Sequence, residues 1–187
     1  MTCPICRASA IDHLAQAKPI FGGLIEWINR QGLLFNNLQL RIELRNRKQL
    51  AEFLREPGDT QCLGATLHTT HTLNGRATRT EVNGVAILRG LPATLFQAVT
   101  IHELGHAWLA VHGIMKLSRQ EEEGFCEFVA HRYLTHTATK ESLYHASGIA
   151  RNPDTIYGEG YRLVSKIVAT TGFSGVLRKL QTDGRLS

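Results

Sequence analysis

His102-Glu103-Leu104-Gly105-His106 constrains this chain more than any other feature of its sequence. Two imidazoles four residues apart share one face when they sit on a helix, so the pentapeptide asks for helix around it. The flanks agree. Gly90-Leu91-Pro92 breaks the preceding segment, and proline suits a first helical turn because its missing N–H has no partner to lose there. Gly113 suits the far end. The reading is a helix over 92–112 with Leu95, Val99, His102, His106 and Leu109 on one stripe, pointing into the protein. Chance supplies ~0.03 such motifs in a chain with nine histidines among 187 residues, so the motif marks a site. Both imidazoles can reach one ion, and Glu103 lies between them to orient a metal-bound water.

A catalytic zinc takes three protein ligands and keeps one position open. The third is sought on the next helix, read over 119–134 behind a Ser118-x-x-Glu121 capping box. The link between the helices is short, so they pack antiparallel and the second returns alongside the histidines. That helix offers Glu121, Glu122, Glu123 and Glu127. Glu121 is explained by the cap, and Glu122 by a solvated first turn that suits the helix dipole. Glu123 and Glu127 lie on the stripe that continues through Ala130, His131 and Leu134. Glu123 is read as the ligand, and Glu127, one turn on, as the acceptor for the free N–H of a ligand histidine. Gly105 permits close helix packing beneath the metal, Trp108 belongs to the core, and Cys126 is a small buried residue.

Ahead of these helices the pattern changes. Residues 20–32 carry apolar side chains at helical spacing, and 38–45 alternate with a period of two, as a half-buried strand does. A short helix near 47–55 stops at Pro57-Gly58. A threonine-rich strand over 63–73 meets a return strand over 76–82, extended by 85–88, through an Asn74-Gly75 hairpin turn. Two further helices are expected near 159–171 and 174–181. The whole is one α+β domain over 1–187, a small, mainly antiparallel sheet followed by helices.

Composition excludes several classes. Hydrophobic residues make up 43% and charged residues 20%, which is ordinary globular composition. No apolar run approaches the ~20 residues of a membrane span, and the first residues lack the basic start and apolar stretch of a secretory signal. A cytoplasmic protein without membrane partners is expected. The formal charge of +5 is spread without a basic block, so a nucleic-acid partner is not expected.

Three segments taken in order resemble the plant DA-one growth-regulator peptidases: His102-Glu103-x-x-His106-Ala107-Trp108-Leu109, then Glu122-Glu123-Gly124-Phe125-Cys126, then Tyr157-Gly158-Glu159-Gly160-Tyr161-Arg162. The segment from Val82 through Leu91-Pro92 is also similar to the one before their zinc helix. The Glu123-Gly124-Phe125 triplet resembles the third-ligand segment of gluzincin aminopeptidases. The resemblance implies a minimal gluzincin-like metallopeptidase domain that uses one zinc and clips folded or ubiquitin-linked protein partners. On that reading His102, His106 and Glu123 hold zinc, and Glu103 is the general base. Tyr157, shared with the family motif, donates to the oxyanion, with Tyr161 and His145 as rivals. Glu127 stands where the family is expected to carry glutamine. No ubiquitin-interacting segments are found, and Cys3-Pro4-Ile5-Cys6 matches only the end of a LIM-type zinc module, a remnant within residues 1–15. A closed site needs four ligands. His13, Cys62, His68 and His71 are the candidate partners for a second zinc at Cys3 and Cys6, and the preferred reading is a vestigial or free thiol pair.

Two other readings compete. A regulator-cleaving protease of the ImmA/IrrE type also carries HELGH and a downstream acidic run, but the Tyr157–Gly160 motif argues against it. A non-catalytic zinc-binding interaction module would not need Glu103. In the peptidase reading the substrate is a protein or peptide that lies as an added strand along the sheet edge.

Overall fold

The computed structural model describes residues 4–36, 38–54, 62–73 and 76–186. In chain order the elements are α1 (Pro4–Ala8), β1 (Ala10–Ile11), α2 (Leu14–Arg30), β2 (Arg41–Arg45), α3 (Arg47–Leu54), β3 (Gly64–Leu73) and β4 (Arg76–Leu88). There follow β5 (Leu91–Pro92), α4 (Ala93–Val111), α5 (Arg119–Thr137), α6 (Lys140–Arg151), α7 (Tyr157–Thr171) and α8 (Phe173–Asp183). The architecture is α+β, as the alternation and helical spacings imply, with a small, mainly antiparallel sheet ahead of the helices.

The larger sheet has strand order β2-β4-β3. β3 and β4 pair antiparallel, with Gly64 opposite Ile87 and His68 opposite Val82. β2 pairs with β4 in parallel, Arg41 opposite Gly84 through Arg45 opposite Leu88. The expected strand over 38–45 is therefore shorter, beginning at Arg41; α3 joins it to β3 at the same end of the sheet, and β3 runs back so that β4 can return parallel to β2. Gly84 makes the pairing fit. Its φ is +149°, and a Cβ there would strike the Arg41 backbone. β4 continues through this glycine as one strand, as the expected extension by 85–88 implies, with a register shift against β3 between Leu67 and His68. The Asn74-Gly75 turn and the Pro57-Gly58 stop lie outside the described residues. β1 and β5 form a separate two-stranded antiparallel ribbon ahead of α4.

One hydrophobic cluster extends from Ile11 to Leu186 and joins β4 to the helices. α4 sits at its centre. Phe96, Ile101, Leu104, Ala107 and Trp108 are buried completely. The stripe carrying His102 and His106 points into the protein, as expected: Leu109 belongs to this core, and Leu95 and Val99 pack against it. The stripe also borders a cleft, where the two imidazole side chains are 14% and 18% exposed. Among the described residues β3 is the free edge of the sheet beside this cleft.

α5 starts at the expected capping box: Ser118 accepts from the Glu121 amide, and Glu121 accepts from the Ser118 amide. α6 was not expected. It is capped by Thr139, which accepts from Ser142 N at 3.1 Å, and its fully buried residues are only Ser142 and Ala146. Such small residues leave little hydrophobic signal in sequence. α7 begins at Tyr157, two residues early, where Asp154 Oδ1 accepts from the Ile156 and Tyr157 amides and the Asp154 carbonyl accepts from the Gly158 and Glu159 amides. Those glycines are needed for contact. A Cβ on Gly160 would strike the Gln120 carbonyl and one on Gly124 would strike Gly160, so α5 and α7 cross almost backbone to backbone.

Gly160→Ala should therefore destabilise the fold by about 1–3 kcal/mol, the usual cost of overpacking. At about 2–4 °C per kcal/mol for a chain of this size, the thermal midpoint should fall by roughly 2–12 °C. A calorimetric scan of the purified variant checks this; an unchanged midpoint would contradict the crossing.

Candidate metal centre

α4 brings His102 and His106 to the cleft one turn apart, and α5, returning antiparallel, brings Glu123 against them. His102 Nε2 lies 3.2 Å from His106 Nε2. Glu123 Oε2 lies 3.2 Å from the first and 3.3 Å from the second. Ligands held tetrahedrally at about 2.0–2.1 Å from one ion stand about 3.3 Å from each other. The triangle has that size.

The other imidazole nitrogens have partners of their own. His106 Nδ1 is 2.9 Å from Glu122 Oε1, and His102 Nδ1 is 3.3 Å from Glu127 Oε1. Carboxylates accept, so each Nδ1 carries the proton and donates. With the imidazoles neutral, as a metal requires, each turns a lone pair at Nε2 toward Glu123 Oε2, a buried oxygen then left without a donor. Three acceptors converge on one point, and a cation satisfies all three. His102, His106 and Glu123 are accordingly the group that could hold a metal ion among the described residues.

Protons compete for the same nitrogens. Burial disfavours a charge on His102, but hydrogen bonds to Glu123 and Glu127 outweigh it and hold its pKa well above the usual imidazole range. Burial likewise opposes a charge on His106, and the adjoining Cys126 sulfur with Glu122 and Glu123 outweighs it in the same direction. Burial pushes the Cys126 thiol up. Burial would raise Glu123, yet the two imidazoles beside it hold it well below the carboxylate range.

Glu103, 8% exposed, lies on the β3 side of the same helix turn. The Thr66 hydroxyl is 3.0 Å from its Oε2 and 2.9 Å from its backbone carbonyl, which ties the carboxylate to the edge strand. Gly64 makes room for it, because a Cβ there would come within 2.8 Å of Glu103 Cγ and of Val99. Gly105 does the same for α5, with Cys126 Sγ 3.0 Å from where its Cβ would be. Tyr157 borders the cleft, its ring centroid 6.5 Å from that of His102. Burial and the Glu123 charge raise the phenol's pKa more than nearby Arg119 lowers it, so the hydroxyl remains a donor at neutral pH. His145 also lines the cleft. Tyr161 instead stacks on Phe128 and His131 in the contact between α5 and α7. The cleft encloses about 1450 Å³.

Sequence reasoning missed three participants. Glu122 was assigned to a solvated first turn; it is half-exposed but holds His106, a role that needs the register between α4 and α5. Thr66 and Gly64 are strand residues far from the motif, and no local pattern links them to Glu103. Cys3 lies outside the described residues, as therefore does the Cys3–Cys6 pair. Cys6 sits in α1, and His13 is the N-cap of α2.

Fold and site together define an α+β domain built around a two-histidine, one-carboxylate site for a metal ion. The chain belongs to the DA1-like family: the family model described as "DA1-like: Protein DA1" matches residues 41–148, from β2 through α6. It is 28% identical to Protein DA1 of Arabidopsis thaliana over 133 residues, covering 56% of this chain and 25% of that protein. Protein DA1-related 1 of the same plant is 43% identical over 56 residues, 30% of this chain and 10% of the relative. LIM domain-containing protein HDR3 of Oryza sativa subsp. japonica is 24% identical over 142 residues, 57% of this chain and 28% of the relative. The chain thus spans about a quarter or less of these relatives' length. No solved structure matches it. Among the described residues no helix is long and apolar enough to cross a membrane.

Metal uptake should release protons and strengthen as pH rises, because below the raised imidazole pKa values protons occupy the nitrogens that the metal needs. Titration of the metal-free protein with zinc in buffers of different ionisation enthalpy checks this. His102→Ala and Glu123→Ala should each lose the bound ion, read by elemental mass spectrometry. Uptake independent of pH, or full retention by both variants, would contradict the site.

Proposed function

We propose that this protein is a zinc-dependent peptidase that hydrolyses peptide bonds of protein or peptide substrates, acting in the cytoplasm. The observation that carries the reading is the ligand triangle, open on its cleft side, with the Glu103 carboxylate one residue from a ligand and, among the described residues, a free strand edge beside it. Two imidazoles and a carboxylate suit zinc and leave it a fourth position. Zinc held there supplies a water of lowered pKa and a Lewis acid for the substrate carbonyl.

The chain's own groups carry the protons. Glu103, its Oε2 held by Thr66, takes the proton of the attacking water at the carboxylate and delivers it to the leaving amide nitrogen. The Tyr157 phenol, kept protonated, donates a hydrogen bond to the carbonyl oxygen as it gains negative charge. Glu122 and Glu127 fix the imidazole tautomers so that both Nε2 atoms stay available. The β3 edge offers main-chain partners that align an extended substrate across the cleft, and the apolar walls exclude water. A module that only binds zinc has no use for a carboxylate in the position of Glu103, tied to the edge strand.

Glu103→Gln should keep one zinc per chain and lower kcat about 10²–10⁴-fold, the range for a removed general base. Tyr157→Phe should lower kcat about 10²–10³-fold with little change in KM. Both are read on a protein substrate by mass spectrometry of the products. Wild-type turnover by Glu103→Gln with zinc in place would end the peptidase reading.

A further inference from the structure

The Tyr157–Arg162 motif ends on a cation that turns away from the cleft. Arg162, half-buried on α7, donates from one guanidinium nitrogen to the Asn152 carbonyl at 2.9 Å and to the Ala150 carbonyl at 3.4 Å. Both oxygens stand at the C-terminal end of α6, where carbonyls lack helical partners and a cation is favoured. From there to Tyr157 the chain is open to solvent, with Pro153, Asp154 and Thr155 all exposed. Hydrogen bonds, more than apolar packing, fix this loop. Asn152 Oδ1 accepts from the Asp154 amide at 3.0 Å, and Asp154 in turn holds the first amides of α7. The Thr155 carbonyl accepts from Gln120 Nε2 at 2.6 Å, across 35 residues of sequence. Gln120 stands one turn before Glu123 on the same face of α5. Its backbone carbonyl is the atom against which Gly160 packs. Arg119, next to it, hydrogen-bonds the Tyr157 phenol. The turn of α5 that bears a metal ligand thus also grips the loop that delivers the phenol.

We infer that Gln120 and Arg162 are positioning residues for Tyr157: they clamp the loop over 152–156 from its two ends and hold the phenol at a fixed place beside the metal centre. The inference rests on the peptidase reading and adds to it two groups that touch neither substrate nor ion. The glycine crossing fixes α7 at Gly160, one turn further along, and leaves the first turn to these donors. Helix ends fray unless groups outside the helix hold them. With Gln120 in place, the phenol keeps its distance from Glu123. Without it the first turn of α7 loosens, and an oxyanion donor displaced by about 1 Å loses much of its effect.

Gln120→Met keeps the length of the side chain and removes the donor. In the zinc-loaded full-length protein it should lower kcat on a protein substrate about 10- to 100-fold, with KM and zinc content unchanged. In a Tyr157→Phe background it should cost nothing further, because the group it positions is gone. Arg162→Gln should act in the same way, and Arg162→Lys, which restores a donor cation, should recover part of the loss. A second readout needs no turnover. The four tyrosines are replaced by 3-fluorotyrosine, and the resonance of Tyr157 is assigned by its loss in Tyr157→Phe. Gln120→Met should move that fluorine resonance toward the one of Tyr144, which is 76% exposed. An equal loss of kcat with and without the phenol, or a resonance that does not move, would overturn the positioning role and leave the peptidase reading intact. If wild type cleaves nothing, the peptidase reading fails and the fluorine spectrum decides: a moved resonance upholds the clamp and an unmoved one overturns it. Gln120 is half-exposed, so its variant keeps the test decisive if Arg162→Gln does not fold.

Discussion

Two imidazole nitrogens and a carboxylate oxygen, each within 3.3 Å of the other two, cannot be held together by hydrogen bonds once both imidazoles have given their protons elsewhere. The rest of the structure depends on that constraint. Glu122 and Glu127 take the Nδ1 protons, so α5 supplies three carboxylates on one side of α4: one toward the ion and one behind each histidine. Without a cation the cluster must be neutralised by protons, which is why burial fails to lower the imidazole pKa values. Such a cluster is expensive to desolvate unless an ion or protons complete it.

Holding α5 and β3 this close to α4 requires missing side chains at defined places. Gly105 admits Cys126 from α5, and Gly64 admits the Glu103 side chain to the edge strand. The Gly124–Gly160 crossing draws α7 in, and that crossing puts Tyr157 at the cleft beside His102. Read this way, the two glycines of Tyr157-Gly158-Glu159-Gly160 are contact positions: Gly158 meets the Asn152 backbone and Gly160 meets α5. The motif carries the tyrosine on the end of a helix that only glycine lets approach.

The helices that bear the site were legible because their signals are local: a proline and a glycine around the HExxH segment, a capping box before the acidic run, and i to i+4 spacing. The third-ligand and histidine-partner assignments followed from which glutamates share a stripe. What was not legible depends on register between distant elements. The parallel pairing of β2 rests on Gly84, 39 to 43 residues from the strand it meets, and nothing in 38–45 announces it. Glu122 and Glu121 look alike as first-turn acids. The cap claims one, and only the depth at which α5 meets α4 gives the other to His106. α6 buries a serine and an alanine, which carry no period. That the histidine stripe also borders a cleft was not legible, because α4 is apolar on almost every face and polarity alone does not tell core from cleft.

The central claim is that α4 and α5 together present two imidazole nitrogens and one carboxylate oxygen to a single ion. X-ray absorption spectroscopy at the zinc edge of the purified, zinc-loaded protein tests it most directly. The account predicts nitrogen and oxygen scatterers alone at about 2.0–2.1 Å, two of them with the outer-shell pattern of imidazole. A sulfur scatterer at about 2.3 Å, or fewer than two imidazoles, would place the metal on cysteines instead and contradict the site described.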